Sequence, residues 1–263
     1  MTWARACALV LVIAAIGVPA LAQGRSGEDL ESFRVELTAG AWFLRPSGTV
    51  TSRGFTVDLE SDLGIADNKG QFLGKLVFKP ARKHRLVLEG TPYRLAGDNV
   101  LAREIRFGGS TYRVQDRITS NVEITYFFGG SQYDFVHRPR GHAGLLAGVG
   151  YMDASAAAQL VALGAAATAS ARVPYPLVGG EFRVFPIRAS HLLSLEGEVK
   201  GMSFGDYGRY LDASFQAGLG LGRHLSLLAG YRVLDADVHT RDRSQGVEPR
   251  FRGPTVSLQV RDR

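Results

Sequence analysis

The sequence predicts an all-β chain, an antiparallel up-and-down β-barrel that crosses a membrane after an export signal. Alternation of apolar and polar residues recurs about ten times, and a period of two is typical of strands with one apolar face. The connections between these segments are alternately short and long, as in barrels of the outer membrane. Beyond the first residues, no apolar run reaches the roughly 20 residues that a spanning helix needs.

The amino terminus predicts a cleaved signal peptide over residues 1–22. Arg5 supplies a positive charge, residues 8–17 form an apolar run, and Ala20-Leu21-Ala22 is a small-residue cleavage site. The single cysteine, Cys7, lies inside this segment. We therefore expect a mature chain without a disulfide or a cysteine metal site.

The remainder is expected to form a polar leader (23–31) and one barrel domain (32–263). The formal net charge of +6 is spread among carboxylates rather than clustered. For an exported chain this pattern argues against nucleic acid. It favours contact with the phosphates of outer-membrane lipid and lipopolysaccharide.

The strands follow from the alternation, which is clearest in the segment 117–136. Ile118, Val122, Ile124 and Tyr126 share one face of it, and Thr119, Asn121, Glu123 and Thr125 share the other. The first set is expected to face lipid and the second the lumen. The predicted strands are 32–45, 71–79, 84–96, 117–136, 142–153, 177–186, 191–204, 209–221, 225–239 and 250–260.

The connections predict the orientation of the barrel. Short turns fall near 80–83, 138–141, 187–190 and 222–224, and long connections fall at 46–70, 97–116, 154–175 and 240–249. Short turns face the periplasm in such barrels, and an even strand count leaves both termini there. The alanine-rich stretch 154–173 is expected to be a short helix or a small-residue loop. Eight strands are the alternative if two segments are loop ribbon.

Two segments carry a family resemblance. Leu219-Gly220-Leu221-Gly222 and Leu228-Ala229-Gly230-Tyr231-Arg232 are similar to the last hairpin of small bacterial outer-membrane β-barrel proteins with eight to ten strands. The resemblance extends over residues 32–263. It implies an outer-membrane location, insertion by the barrel assembly machinery, a monomer, and no cofactor.

Charged residues recur on the faces expected to line the lumen. In a narrow barrel, side chains fill the interior, and an unpaired buried charge is costly. We therefore predict a plug of paired charges, with a narrow polar channel as the alternative. The predicted lumen residues are Arg34, Glu36, Lys75, Glu89, Glu123, Glu181, Arg183, Glu196, Glu198, Lys200, Asp212 and Arg232.

A second set of polar residues lies near the expected outer rim. Asp235, Asp237 and His239 alternate on the ninth predicted strand, so they share a face. The resemblance includes ten-stranded outer-membrane proteases that use Asp and His, whose second acidic set has a counterpart here only within residues 58–62. A divalent cation is another ligand for such groups, but a solvated polar rim is the favoured interpretation. We assign no catalytic or metal residue.

The predicted function is a structural or surface-interacting barrel without catalytic activity. The alternatives are a narrow pore for small solutes and a surface protease or lipid hydrolase. For the hydrolase, Ser190, His191 and His142 lie beside predicted turns rather than in a triad. A soluble, lipocalin-like binding barrel is a further alternative, because alternation alone does not say which face is inside.

Overall fold

The structure is a computed structural model. It describes residues 29–52, 55–65, 70–107, 110–160, 166–187, 190–203, 205–239 and 245–262. The predicted signal peptide and residues 23–28 of the predicted leader lie outside the described residues. Within the described ranges, no helix has the length and apolar character needed to cross a bilayer.

The described residues contain fourteen strands, and ten of them close a barrel. Strands β1, β4, β5 and β8 to β14 are each antiparallel to the next, and β1 pairs with β14 to close the ring. This confirms the predicted all-β, ten-stranded antiparallel barrel. The strands are β1 Val35–Phe43, β2 Arg45–Ser52, β3 Phe55–Asp58, β4 Gly70–Ala81, β5 His84–Val100, β6 Ile105–Phe107, β7 Ser110–Tyr112, β8 Arg117–Arg138, β9 Gly141–Leu160, β10 Ala166–Val184, β11 Leu193–Ser203, β12 Gly208–Gly220, β13 Leu225–His239 and β14 Gln245–Arg261.

The four other strands lie in two long connections that were predicted as loops. β2 follows β1 after a break at Leu44 and takes its place beside β14, while β3 pairs with β2. β6 and β7 form a separate hairpin. Strand structure in 46–70 and 97–116 was missed because these short segments lack a long alternating run.

The prediction of a helix or loop over 154–173 was wrong. β9 continues to Leu160 and β10 begins at Ala166, and the two pair with each other throughout, from Gln159 opposite Ala166 downwards. β8 supplies the second neighbour of this part of β9. Hydrogen bonding between strands therefore overrides the weak strand preference of alanine. Residues 161–165 lie outside the described residues.

The predicted contrast in connection lengths holds only in part: long outer connections join β1 to β4 and β5 to β8, whereas the predicted long connections 154–175 and 240–249 shorten to 161–165 and 240–244. Both ends of the described chain and the connections 82–83, 139–140, 185–187 with 190–192, and 221–224 lie at one end, which we call periplasmic. Outward apolar side chains form an exposed belt that would be unstable in water and that suits the hydrocarbon of a bilayer. The belt includes Phe43, Phe72, Leu76, Phe78, Leu86, Leu88, Phe127, Leu145, Val149, Val178, Phe182, Val199, Phe215, Leu219, Tyr231, Val256 and Leu258.

Above the belt the two faces exchange character. In the outer part of β8, Ile118, Ile124 and Tyr126 are buried inside the barrel, while Glu123 is exposed on the outer face. The prediction that this apolar set faces lipid was therefore wrong. The physical reason is height: this part of β8 extends above the belt, where the outer face meets water and the inner face packs against other apolar side chains.

Candidate functional site: the filled lumen

The periplasmic mouth is closed by the segment that precedes β1. Residues 29–34, here called the periplasmic plug, fold into the mouth, with Leu30, Glu31 and Phe33 buried. The backbone N–H of Leu30 donates to the carbonyl oxygen of Pro139 at 2.8 Å. Lys79 Nζ donates to the carbonyl oxygen of Glu31 at 2.7 Å. The plug is thus fixed to the barrel wall through its backbone.

Glu31 is the charged anchor of the periplasmic plug. Its side chain is 0% exposed and lies 3.0 Å from Arg85, 3.2 Å from His142 and 3.6 Å from Arg183. Burial raises the pKa of Glu31, but the positive charges of Arg183, His142 and Arg85 lower it well below the usual value. The carboxylate therefore stays ionised in the closed mouth.

The same cations extend the network into the barrel. Arg183 contacts Glu36 at 2.8 Å and Glu196 at 2.9 Å. Arg261, on the last strand, contacts Glu36 at 2.5 Å. Arg85 also contacts Asp134 at 2.9 Å. Strands distant in sequence are thereby joined across the lumen by alternating charges.

A second cluster occupies the middle of the lumen. Lys75 contacts Glu181 at 2.9 Å and also pairs with Glu198. Lys200 lies 2.5 Å from Glu89 and 2.6 Å from Glu198. A cavity of about 70 Å³ remains between these groups, lined by charged side chains of both clusters. Its size corresponds to a few water molecules rather than to a solute.

Arg232 and Asp212 form the upper end of the charge network. The Nε of Arg232 donates to Asp212 Oδ1 at 2.8 Å, and its Nη2 donates to Oδ2 at 2.5 Å, a bidentate pair. The guanidinium lies 5.0 Å from the ring centroid of Trp42, and Lys200 Nζ lies 4.9 Å from that of Phe128. Cation–π contacts thus join the charges to the aromatic residues above them.

An aromatic plug fills the outer half of the lumen. The Tyr93 and Phe251 ring centroids are 5.4 Å apart, and those of Trp42 and Tyr93 are 5.9 Å apart. Tyr175 and Tyr210 pack at 5.2 Å. The aromatic plug consists of Trp42, Tyr93, Tyr126, Phe128, Tyr175, Tyr210 and Phe251, all buried.

Glycines on β9 provide the space for these rings. A Cβ at Gly150 would lie 2.6 Å from the Tyr175 ring, and one at Gly148 would lie 2.8 Å from the Phe128 ring. Neither distance is tolerated by real side chains. The glycine-rich stretch of this strand therefore serves packing inside the barrel.

A turn from the first outer connection covers the aromatic plug. Residues 59–65, here called the cap, place Leu59, Leu63 and Ile65 in the apolar core of the outer half. Ser120 Oγ donates to the carbonyl oxygen of Leu63 at 2.7 Å. A Cβ at Gly97 would lie 2.1 Å from the same oxygen, so the close approach of the cap to β5 requires glycine there.

Asp62 ties the cap to the next outer connection. Arg103 Nε donates to Asp62 Oδ1 at 3.0 Å, and Nη2 bonds Oδ2. Burial acts to raise the pKa of Asp62, but the hydrogen bonds from Arg103 and the backbone of Asp58 lower it below the usual value. The acidic segment 58–62 therefore helps to hold two outer connections together.

Ten of the twelve predicted lumen residues line the interior, and two do not. Arg34 is exposed at the periplasmic end, because the chain has not yet entered β1. Glu123 is on the outer face, in register with Arg94, because β8 reverses its polarity above the belt. For these two residues the prediction was wrong.

The network also contains five residues that were not predicted to line the lumen. Glu31 lies in the leader, where no alternation marks it as buried. Arg85 has the same parity as Glu89 on β5, a signal that was available. The other missed members are Asp134, His142 and Arg261.

The predicted rim set faces away from the lumen. In the outer part of β13, Leu234 and Ala236 are buried, so Asp235, Asp237 and His239 share the outward parity. His239 Nε2 is 3.8 Å from Asp237 Oδ1, and Asp235 pairs with an arginine of β14. Across the residues the structure describes, no group of three or more His, Cys, Asp or Glu is arranged to hold a metal.

Comparison with known proteins bears on the fold. No protein-family profile and no curated protein sequence matches the chain. Among solved structures, outer membrane protease OmpT from Escherichia coli aligns over 89% of this chain and 100% of its own, with a TM-score of 0.58 and 10% identity. The transport unit of the autotransporter AIDA-I from Escherichia coli aligns over 98% of this chain and 97% of its own (TM-score 0.48, 10% identity). Ail of Yersinia pestis aligns over 86% and 98% (TM-score 0.35, 10% identity).

The likeness to OmpT shows a shared fold. With the closed ten-stranded ring and the apolar belt, it defines the chain as a transmembrane β-barrel of the bacterial outer-membrane type.

Proposed function

We propose that this protein is a sealed, non-catalytic barrel that serves a structural or surface-interaction role in the outer membrane. The observation that carries the proposal is the continuous filling of the lumen. The periplasmic plug, two charge clusters, the aromatic plug and the cap follow one another along the barrel axis, and the cavity between the charge clusters has a volume of about 70 Å³.

The filling opposes solute passage at both ends. Glu31 and Arg85 close the periplasmic mouth with almost no exposed surface. Leu63 and Ile65 of the cap are buried at the outer end. A solute or ion would have to displace paired charges and a packed apolar core, both of which are costly.

The outer half of the barrel supports the surface role. Strands such as β5 and β8 continue well above the belt, with polar outer faces. The apolar core within this half makes it a folded extension rather than a set of loose loops. Such a rigid rim suits the display of a defined surface to lipids, to neighbouring proteins or outside the cell.

Planar-bilayer recording tests the proposal. Purified barrel, refolded without the signal peptide, should give no discrete conductance steps, while a porin in the same bilayer gives them. Regular conductance steps from the folded wild-type protein would overturn the sealed-barrel proposal and favour a narrow pore. They should be absent after boiling, when the gel mobility shows that the barrel has unfolded.

The geometry of the rim set does not favour an enzyme. Asp237 and His239 lie on the outward parity of β13, and Asp62 is engaged by Arg103. Peptide and lipid substrates should therefore remain intact with the wild type. Turnover that is lost in an Asp237→Ala, His239→Ala double variant would show that the rim set is catalytic.

A further inference from the structure

Charges on the outer face just above the belt follow a rule of opposite pairing between neighbouring strands. Such pairs stabilise a sheet, and like charges directly opposite destabilise it. Arg172 Nε lies 3.0 Å from Asp153, and Arg250 Nε lies 3.6 Å from Asp235. Two further oppositely charged pairs are direct register partners, Arg94 with Glu123 and Arg209 with Asp237.

One position breaks the rule. Arg45 of β2 is the direct register partner of Arg252 of β14, and both side chains are exposed. Across the part of the chain that the structure describes, no carboxylate lies within ion-pair distance of either guanidinium. Two cations therefore stand side by side on adjacent strands, and the carboxylate diagonal to Arg252, Asp235, is already paired with Arg250.

The height of this arginine pair identifies the source of the anion. Phe43 belongs to the belt two residues before Arg45, and Val256 belongs to it four residues after Arg252. At about 3.3 Å per residue, Arg45 lies roughly 7 Å along the strand from Phe43, the last lipid-facing side chain of β1, or about 5 Å along the membrane normal for a strand tilted by about 40°. This is the level of headgroups in the outer leaflet.

We propose that Arg45 and Arg252 bind the phosphate monoester of an outer-leaflet glycolipid, the chemistry of lipid A. A phosphate monoester carries about −1.5 to −2 charges near neutral pH, which balances two guanidinium groups. Arginine binds phosphate oxygens bidentately. The acyl chains of the lipid would lie along Phe43 and Val256, directly below.

The test uses a variant that supplies the missing anion within the protein. Arg252→Glu places a carboxylate opposite Arg45. This change removes the repulsion between the two arginines and also removes the proposed phosphate-binding site. Arg172→Gln is the matched control, an outward arginine at another strand pair. Melting temperature in detergent and lipid A binding by native mass spectrometry are measured for all three proteins.

We expect opposite effects on the two readouts. In lipid-free detergent, Arg252→Glu should melt at or above the wild-type temperature. It should bind lipid A about tenfold more weakly or worse, which corresponds to the loss of about 1.4 kcal/mol or more, whereas Arg172→Gln should bind like the wild type. Equal binding of lipid A by the wild type and Arg252→Glu would overturn the proposal.

Two further arms distinguish the source of the phosphate. Dephosphorylated lipid A and inorganic phosphate should each bind the wild type at least about tenfold more weakly than lipid A. If inorganic phosphate raises the melting temperature as much as lipid A does, the site is not a lipid site. If dephosphorylated lipid A binds as well as lipid A, the arginine pair does not read phosphate.

Discussion

Glu31→Gln is the perturbation that most directly probes the periplasmic plug. The change keeps the size of the side chain and removes its charge, which three cationic side chains now contact: Arg85, His142 and Arg183. Each of these side chains also contacts a second carboxylate: Arg85 contacts Asp134, His142 contacts Glu181 and Arg183 contacts Glu36. The decrease in the free energy of unfolding should therefore be large, but the barrel should still fold.

The magnitude follows from burial. Removing one partner of a buried ion pair costs about 3–5 kcal/mol, and the second carboxylates favour the lower end of that range. We expect the free energy of unfolding to fall by about 3 kcal/mol, a factor of roughly 150 in the folding equilibrium.

Urea unfolding of the barrel in lipid vesicles measures this change, with the heat-modifiable gel band as an independent monitor. Asp153→Asn is the matched control, because Asp153 and its partner Arg172 are exposed and such pairs contribute less than about 1 kcal/mol. If Glu31→Gln costs no more than Asp153→Asn, the plug is not held by the charge of Glu31 and the reasoning is refuted.

Three further predictions concern the outer half. Phe251→Ala empties a buried site beside Trp42 and Tyr93 and should lower the free energy of unfolding by about 3–5 kcal/mol in the same assay. Gly97→Ala should displace the cap and speed thermolysin cleavage within residues 59–65; unchanged cleavage would contradict the close contact with Leu63. Because folding lowers the pKa of Asp62, its stabilisation is complete above the ordinary carboxyl value of about 3.9 and is lost as pH falls through the lowered value. The exchange protection of the Ile65 amide, bonded to Leu59, should therefore stay constant down to about pH 5 and decline below about pH 4, and Asp62→Asn should remove that decline.

The barrel could be predicted from the sequence because the pattern that marks each strand is local. Period-two alternation marks a strand wherever one face is apolar, and short turns such as the one before His84 fix where strands reverse. The charge network was largely predictable for the same reason. Glu196, Glu198 and Lys200 share one parity opposite Leu195 and Val199, so placing one of them in the lumen places the others there.

The remaining features depend on height above the membrane, which alternation does not encode. Gln132 and Tyr126 share the inward parity of β8, yet the interior is polar at the level of the first and aromatic at the level of the second. Glu31 carries no periodic signal, because its burial arises when the leader folds back into a mouth built by distant strands. The cap is similar: Leu63 and Ile65 lie in an acidic connection whose docking depends on Gly97 and Ser120.

Thiol accessibility in the lumen tests the central claim of a sealed barrel most directly. In a chain that begins at Gln23 and so lacks Cys7, Ser214→Cys places a thiol on the wall of the cavity, and Ser203→Cys places one on an exposed part of β11. A charged, membrane-impermeant thiol reagent should label the second variant fully and leave the first unlabelled until urea unfolds the barrel. Labelling of the folded Ser214→Cys variant at the rate of the Ser203→Cys variant would contradict a lumen closed at both ends.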